Sequence, residues 1–538
     1  MKSITGTIAA AFLSLAVVFS TVGAQSDGNV LQVGLRKLTT IDPALGANDP
    51  EVMFNQLQYE YLIDITADGE LAPRLATDWS VSEDGLTITL NLREGVTFHN
   101  GSPFTSADVV YTFNRLVESG SSIVGLLGQE QTGEDDEGNP ILEPTWSVAA
   151  VDDLTVEFTL NAPNADFLFG VASRFSAIVQ DGAENVNTIA DGDDPLANFN
   201  GTGPFVLTDY RVDESATFTA NENYWDPEVP VLDGIELIFF DDDQSQLNAL
   251  RGGSLDFIIK VPSDLQPDLN AAEGFVAIQK PTNTHPVIRL RVDEGSIGED
   301  VRLRQAFKFA TDRELLNLDA LDGAGTVANN DPIGPSYGLF YNPQENRGYD
   351  PEQACALIAD VAADGTGNGF VTEVDGEARV QVPFYVGDTL EYPQVAVFAQ
   401  DMWSQACIDV ELQVVPEQVY YAEGENNWLN AQLGMTAWGE RPVAQEYLSV
   451  AYTTGAVFNE ARWSNEELDA LAQEAATTTD IEARADIYNQ ISEIFFEEGP
   501  IIIVYFRPVV GGHVEGVTGL DMHTFPGRTD FRGVGFAE

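Results

Sequence analysis

From Val30 the chain alternates. Val30, Gln32 and Gly34 fall on one side of a period-two pattern, Leu31, Val33 and Leu35 on the other, and a Pro/Gly-containing loop follows as far as Asn48. This predicts a strand and then a loop, because successive strand side chains point to opposite faces. In WSVSEDGLTITLNLREGVTF, residues Leu86, Ile88, Leu90 and Leu92 keep the same period after Asp84-Gly85, a pair suited to a tight turn, so a hairpin is expected. The period then changes. Val109, Val110, Phe113, Leu116 and Val117 recur at helical spacing behind Thr105, with Asp108 three residues on, which predicts a capped helix packed on the hairpin sheet. Between Gly128 and Pro144 the acids Glu134, Asp135, Asp136 and Glu137 lack the alternating ligands and closing Glu of a calcium loop, and the stretch is read as a solvated loop.

Strands and turns resume from Gly201 to Ile259, with an apolar run from Ile235 to Phe240 and a short helix through Leu247 and Leu250. Beyond Thr284, strands near 287–292, 380–386 and 409–415 alternate with helices near 301–310, 351–362 and 393–406, the order of an α/β lobe. Ser464 and Glu467 fit a capping box ahead of Leu468, Leu471, Ala472 and Ala475. A further helix carries Ile487, Ile491, Ile494 and Phe495, and Ile501 to Phe506 reads as one buried strand. The Gly-rich tail after Pro508 has no strong helical period and is expected to return to the first lobe.

Composition narrows the function. The chain has 538 residues, enough for about three domains at roughly 150 residues each. Its 25 Lys plus Arg stand against 86 Asp plus Glu, a net charge of −61, which leaves no polycationic surface to neutralise phosphates, so no nucleic-acid partner is expected. Only five of the cations are lysines. Such an acid excess suits solubility in a salty medium, where charges are screened.

Lys2, the apolar run Ile8 to Val18 and the small residues Val22-Gly23-Ala24 predict an export signal over 1–24, cleaved after Ala24. No later stretch is long and apolar enough to span a bilayer. A soluble protein of the periplasm is expected.

No chemistry of an enzyme is spelled out. The histidines His99, His285, His513 and His523 make no HExxH pair, and no GxSxG elbow, CxxC pair or GxxxxGK[ST] phosphate loop is present. Neither a metal site nor a cofactor is expected. With 86 acids, close carboxylate pairs carry no diagnostic weight.

Several blocks resemble the family 5 extracellular solute-binding proteins of ABC importers. They are LAPRLATDWSVSEDGLTITLNLREGVTFHNGSPFTSADVVYTFNRL (71–116), NGTGPFVLTDY with the following stretch to Phe257, VRLRQAFKFATDRELL (301–316), WSNEELDALAQEA (463–475) and EEGPIII (497–503). The resemblance implies an α/β, type II periplasmic binding protein fold with the ligand between two hinged lobes. Lobe I would cover 25–284 with an extra subdomain inserted at about 61–190, lobe II 285–506, and 507–538 the return to lobe I. The crossings would lie near Lys280 to His285 and Tyr505 to Pro508. It also implies a small-molecule solute, ABC permease subunits in the inner membrane as partners, and a monomer.

In peptide-binding relatives the second lobe supplies a Trp and, a few residues later, an acid for the ligand's amino terminus. Trp438 in Trp438-Gly439-Glu440-Arg441-Pro442-Val443-Ala444-Gln445 matches the aromatic, whose face can stack on a ligand, while Ala444 and Gln445 stand where the acid is expected and Glu440 lies nearby. Arg441 offers a planar fork for a solute carboxylate, or else pairs with Glu440 or another acid. Asn48, His285 and Tyr385 occupy positions where open α/β sheets place ligand groups, each with a structural alternative: Asn48 as a turn cap, His285 bonded to hinge backbone, Tyr385 in the core. Trp146 is a further wall candidate with a core alternative. Cys355 and Cys407, the only cysteines, are expected to form a disulfide, since export is oxidising and the resemblance places their helices side by side. A solute binder, peptide-like or carboxylate-specific, is the leading reading; a metal-chelate or haem-type carrier with His285 as ligand, and a secreted hydrolase, are the alternatives.

Overall fold

The computed structural model describes residues 29–537 apart from 68, 135–139, 187, 190–195, 262–268, 270–272, 344–346, 423 and 425–426. The export signal lies outside the described residues.

Val30–Arg36 is the strand its alternation predicts, and it runs parallel to Gly234–Phe240 on one side and Phe257–Ile258 on the other. These belong to a seven-stranded sheet in the order 205–211, 215–220, 234–240, 30–36, 257–258, 508–514, 275–281. Leu31, Val33 and Leu35 face Phe54 and Leu57 of the helix Asp49–Gln58 in one buried layer. On the other face Gly34 lets Leu255 come so close that any Cβ would sit 2.5 Å from Leu255 Cδ1. The helix Asp243–Arg251 covers that side through Leu247 and Leu250.

The hairpin at Asp84-Gly85 forms between Ala76–Val81 and Thr87–Leu92, with Gly85 at φ +70°, where glycine carries no Cβ penalty. Thr155–Leu160 and Trp146–Asp152 extend it to a four-stranded antiparallel sheet. Ser106–Glu118 is capped by Thr105 and Asp108 as expected, and buries Val109, Phe113 and Leu116 against this sheet. The stretch 128–144 departs from the expectation of a loop. Gln129–Glu134 and Pro140–Pro144 pair as an exposed antiparallel hairpin, held by backbone bonds that need no apolar pattern; Asp135 to Gly138 lie outside the described residues.

The second large sheet contains 371–374, 377–387, 433–438, 285–290 and 501–503, with 408–415 on the 377–387 strand. Helices Val301–Phe309, Pro351–Asp364 and Tyr392–Gln405 cover it, with Trp403 fully buried. The chain leaves the first sheet at Pro281, enters the second at His285, and returns between Ile503 and Pro508. The two crossings are tied together: Thr282 Oγ1 donates to Arg507 O at 2.6 Å, and Arg507 N to Thr284 O at 2.7 Å.

The structure differs from two local expectations. Ile501 to Phe506 is two strands, because Ile501–Ile503 pairs with 287–289 whereas Tyr505–Phe506 pairs with Thr326–Val327 as the chain crosses. The helix Glu466–Thr477 is capped by Asn465, whose side chain accepts from Leu468 N at 2.9 Å, while Ser464 is engaged with Thr454.

Cys355 and Cys407 are joined, with Cα atoms 5.2 Å apart. The bond does not link two helix faces. Cys407 lies past the end of Tyr392–Gln405, at φ +62° in the turn into Ile408–Val415, and the turn brings it to the helix Pro351–Asp364.

Candidate functional site

A cavity of about 740 Å³ opens between the lobes, walled by the first lobe and the four-stranded subdomain on one side and by the second lobe on the other. From the second lobe comes the loop after the strand Leu433–Trp438. The strand end is fixed from behind: Trp438 Nε1 donates to Glu460 Oε1 at 3.0 Å, and the other Glu460 oxygen accepts from Thr436 and from Arg289 Nε at 3.3 Å. The loop therefore enters the cleft from a rigid base.

Glu440 and Arg441 line the cavity. The Glu440 carboxylate accepts from Asn283 N in the first crossing and from Ser336 Oγ at 2.7 Å. Removal from water pushes its carboxyl up to about 7, against the pull of these bonds. Arg441 lies over the Trp438 ring, 5.5 Å from its centre, with Nε 3.3 Å from Glu446.

The facing wall brings residues that the sequence did not single out. Arg174 follows the short helix Phe167–Val171, with its guanidinium carbon 4.4 Å from the Phe525 ring centre and 5.0 Å from that of Phe175. Arg528 also lines the cavity, but it is committed: it donates to Asp64 at 2.7 Å and to Ala172 O at 2.9 Å. His523 accepts from Phe525 N at 2.8 Å on Nδ1, which leaves Nε2 as donor to Ile65 O at 3.2 Å, and burial pushes its imidazole down to about 4. It is a neutral wall residue. One signal for Arg174 was available: residues 167–179 contain no acid, in a chain with 86 of them.

The remaining candidates are not brought to the cavity. Trp438 is 5% exposed, in an aromatic core with Tyr447 and Tyr452, so the stacking face expected of it is covered by neighbours and by Arg441. His285 is fully buried between Tyr447 and Phe506, its Nδ1 2.6 Å from Asn283 O, and is pushed down to about 4 by burial. The hinge-backbone alternative describes it, and the metal or haem reading loses its ligand. Among the described residues no group of three or more His, Cys, Asp or Glu is placed to hold a metal ion. Asn48 caps the helix Asp49–Gln58 in a box with Glu51. Tyr385 is half-buried within its sheet, in register with Gln413, and Trp146 packs in the subdomain core against Phe113.

Among the described residues no helix is long and apolar enough to cross a membrane. The model of the bacterial extracellular solute-binding proteins, family 5, matches residues 70–459. The chain is 28% identical to heme-binding protein A of Haemophilus influenzae, over 87% of this chain and 86% of that one. It is 26% identical to a dipeptide-binding protein of Escherichia coli, over 88% of each. Among solved structures, HbpA2 of Haemophilus parasuis superposes with a TM-score of 0.77 at 25% identity, covering 95% of this chain and all of that one. The ABC transporter substrate-binding protein CtaP of Listeria monocytogenes gives 0.77 at 23% identity, with the same coverage. The fold is that of a type II periplasmic binding protein, two α/β lobes with an added subdomain, and the chain belongs to the bacterial extracellular solute-binding proteins of family 5.

Proposed function

We propose that this protein is the solute-binding component of an ABC importer: exported to the periplasm with cleavage after Ala24, it captures one small organic solute between lobes 25–284 and 285–506 and delivers it to the permease as a monomer. The observation that carries this reading is the cavity of about 740 Å³ lined from both lobes, in a chain of this family. That volume suits a solute of a few residues or a comparable metabolite. A ligand that touches both walls favours the closed arrangement over the open one, and this difference in affinity is what a permease can read as loaded or empty. Glu440 and Arg441, on the second-lobe loop, contact the solute in this reading. Relatives that bind heme and dipeptides share the fold, so the family alone leaves the solute open.

The test is native mass spectrometry of the protein purified without denaturation, followed by identification of any released small molecule. The expected result is one organic solute per chain, whose re-addition raises the melting temperature of the emptied protein. A protein that carries no solute, and that shifts with no member of a peptide and metabolite panel, would overturn the reading.

A further inference from the structure

Among the described residues, the charged side chains that line the cleft have a direct ion pair except Glu440 and Arg174. Asp166 is paired with Arg484, Arg528 with Asp64, and Arg441 lies against Glu446. Glu440 is held by neutral donors. Arg174 has neither kind of partner: among the described residues no carboxylate lies within ion-pair distance of its guanidinium, and its Nε is buried without a hydrogen-bond acceptor. Arg174 is half-buried, and a partly desolvated cation with no direct ion pair is costly, in a protein with 86 acids.

We propose that Arg174, rather than Arg441, is the anion anchor of the cleft, and that the solute carries a carboxylate which the Arg174 guanidinium takes between the rings of Phe525 and Phe175. This rests on the solute-binding reading and names the ligand class for it. The two ring contacts hold the guanidinium in place, and among the described residues neither of its Nη groups donates to a protein acceptor, which leaves that end for a ligand. Asp49, Glu446 and Glu440 act on it through space and none bonds it directly; burial, the largest influence, lowers its proton affinity, and the Arg528 charge adds to that. A carboxylate matches a single planar fork with two parallel bonds. A multiply charged phosphate would meet one unpaired guanidinium against a net charge of −61, which disfavours it.

The test uses matched probes: di-, tri- and tetra-alanine and glutarate as free acids, and the same molecules as amides, titrated calorimetrically into the emptied wild type and into the R174Q, R174K and R441Q variants. Wild type is expected to prefer at least one acid over its amide by about 10- to 100-fold, the range of a charge-assisted bond. R174Q should abolish that ratio, R174K should keep part of it, and R441Q should keep it. If R174Q fails to fold, R174K and the wild-type ratio decide. Equal binding of acid and amide, a ratio that survives R174Q or disappears in R441Q, or binding of none of the acids each overturns the proposal. A copurified solute without a carboxylate overturns it too while leaving solute binding intact.

Discussion

Arg484, on the helix Ile481–Glu497 of the second lobe, donates from Nη2 to Asp166 Oδ2 at 2.8 Å across the cleft, and both side chains are 4% exposed. Beside them Ala165 N donates to Ala476 O at 2.9 Å, so a backbone bond and a buried ion pair join the subdomain to the second lobe. If the lobes part, both charges return to water. Removing one partner therefore costs the closed form, because the other stays buried and unpaired, and the penalty for that is about 3 to 5 kcal/mol in a protein interior. Arg484→Ala and Asp166→Ala are expected to weaken solute binding at least 10-fold, mainly through faster release. The double variant should recover part of the loss. Stopped-flow dissociation of the identified solute checks this, and equal release rates in wild type and Arg484→Ala would refute it.

Trp438 supports the site from behind. Trp438→Ala opens a cavity in an aromatic cluster and takes a donor from the buried Glu460, so it should lower stability by about 3 to 5 kcal/mol. Trp438→Phe, which keeps most of the volume and loses only the indole N–H, should cost about 1 to 3 kcal/mol. Chemical denaturation of both variants measures this, and near-wild-type stability for Trp438→Ala would show that the ring is not structural.

Asp331 is 1% exposed and accepts from Ile333 N at 2.9 Å and from Ser492 Oγ, and burial pushes its carboxyl up to about 7. The folded protein holds this proton between pH 4 and 7 while the unfolded chain does not. Its contribution to stability is therefore complete below pH 4 and falls as pH rises towards 7, at up to about 1.4 kcal/mol per pH unit. Asp331→Asn should remove that slope and become the more stable form at pH 8. Melts across pH 4 to 8 for the two proteins test it, and parallel profiles would contradict it.

The disulfide closes a 52-residue separation, for which chain entropy gives about 4 kcal/mol. Cys355→Ala with Cys407→Ala should lose much of this. Cys407 has φ +62°, so the pair Cys355→Ala with Cys407→Gly should be the more stable of the two by up to about 1 kcal/mol. Thiol titration of the denatured, unreduced protein should find no free thiol; two per chain would show that no bond forms.

A net charge of −61 repels itself when unscreened. Melting temperature should rise from low to near-molar NaCl as the Debye length contracts from about 30 Å to 3 Å. A flat or falling profile would separate the acidic composition from any adaptation to salt.

Much of the architecture was legible in the order of residues. The period-two run at Leu31, Val33 and Leu35, the turn at Asp84-Gly85 and the cap at Thr105 and Asp108 are local: a strand or helix end is set by neighbours a few positions away, so its signal lies within one window. Where two adjacent residues could serve, as at Ser464 and Asn465, a tertiary contact chose between them. The site is not local. Arg174 lies 266 residues before Glu440, and Glu440 lies 85 before Phe525, yet the three share one cavity because two crossings set the lobes face to face. Sequence could name Glu440 and Arg441 as a candidate loop. It had no means of showing that Trp438 is covered, that His285 is buried against hinge backbone, or that the Arg174 guanidinium lines the cavity with no direct ion pair among the described residues, because burial and pairing depend on what the rest of the chain brings alongside.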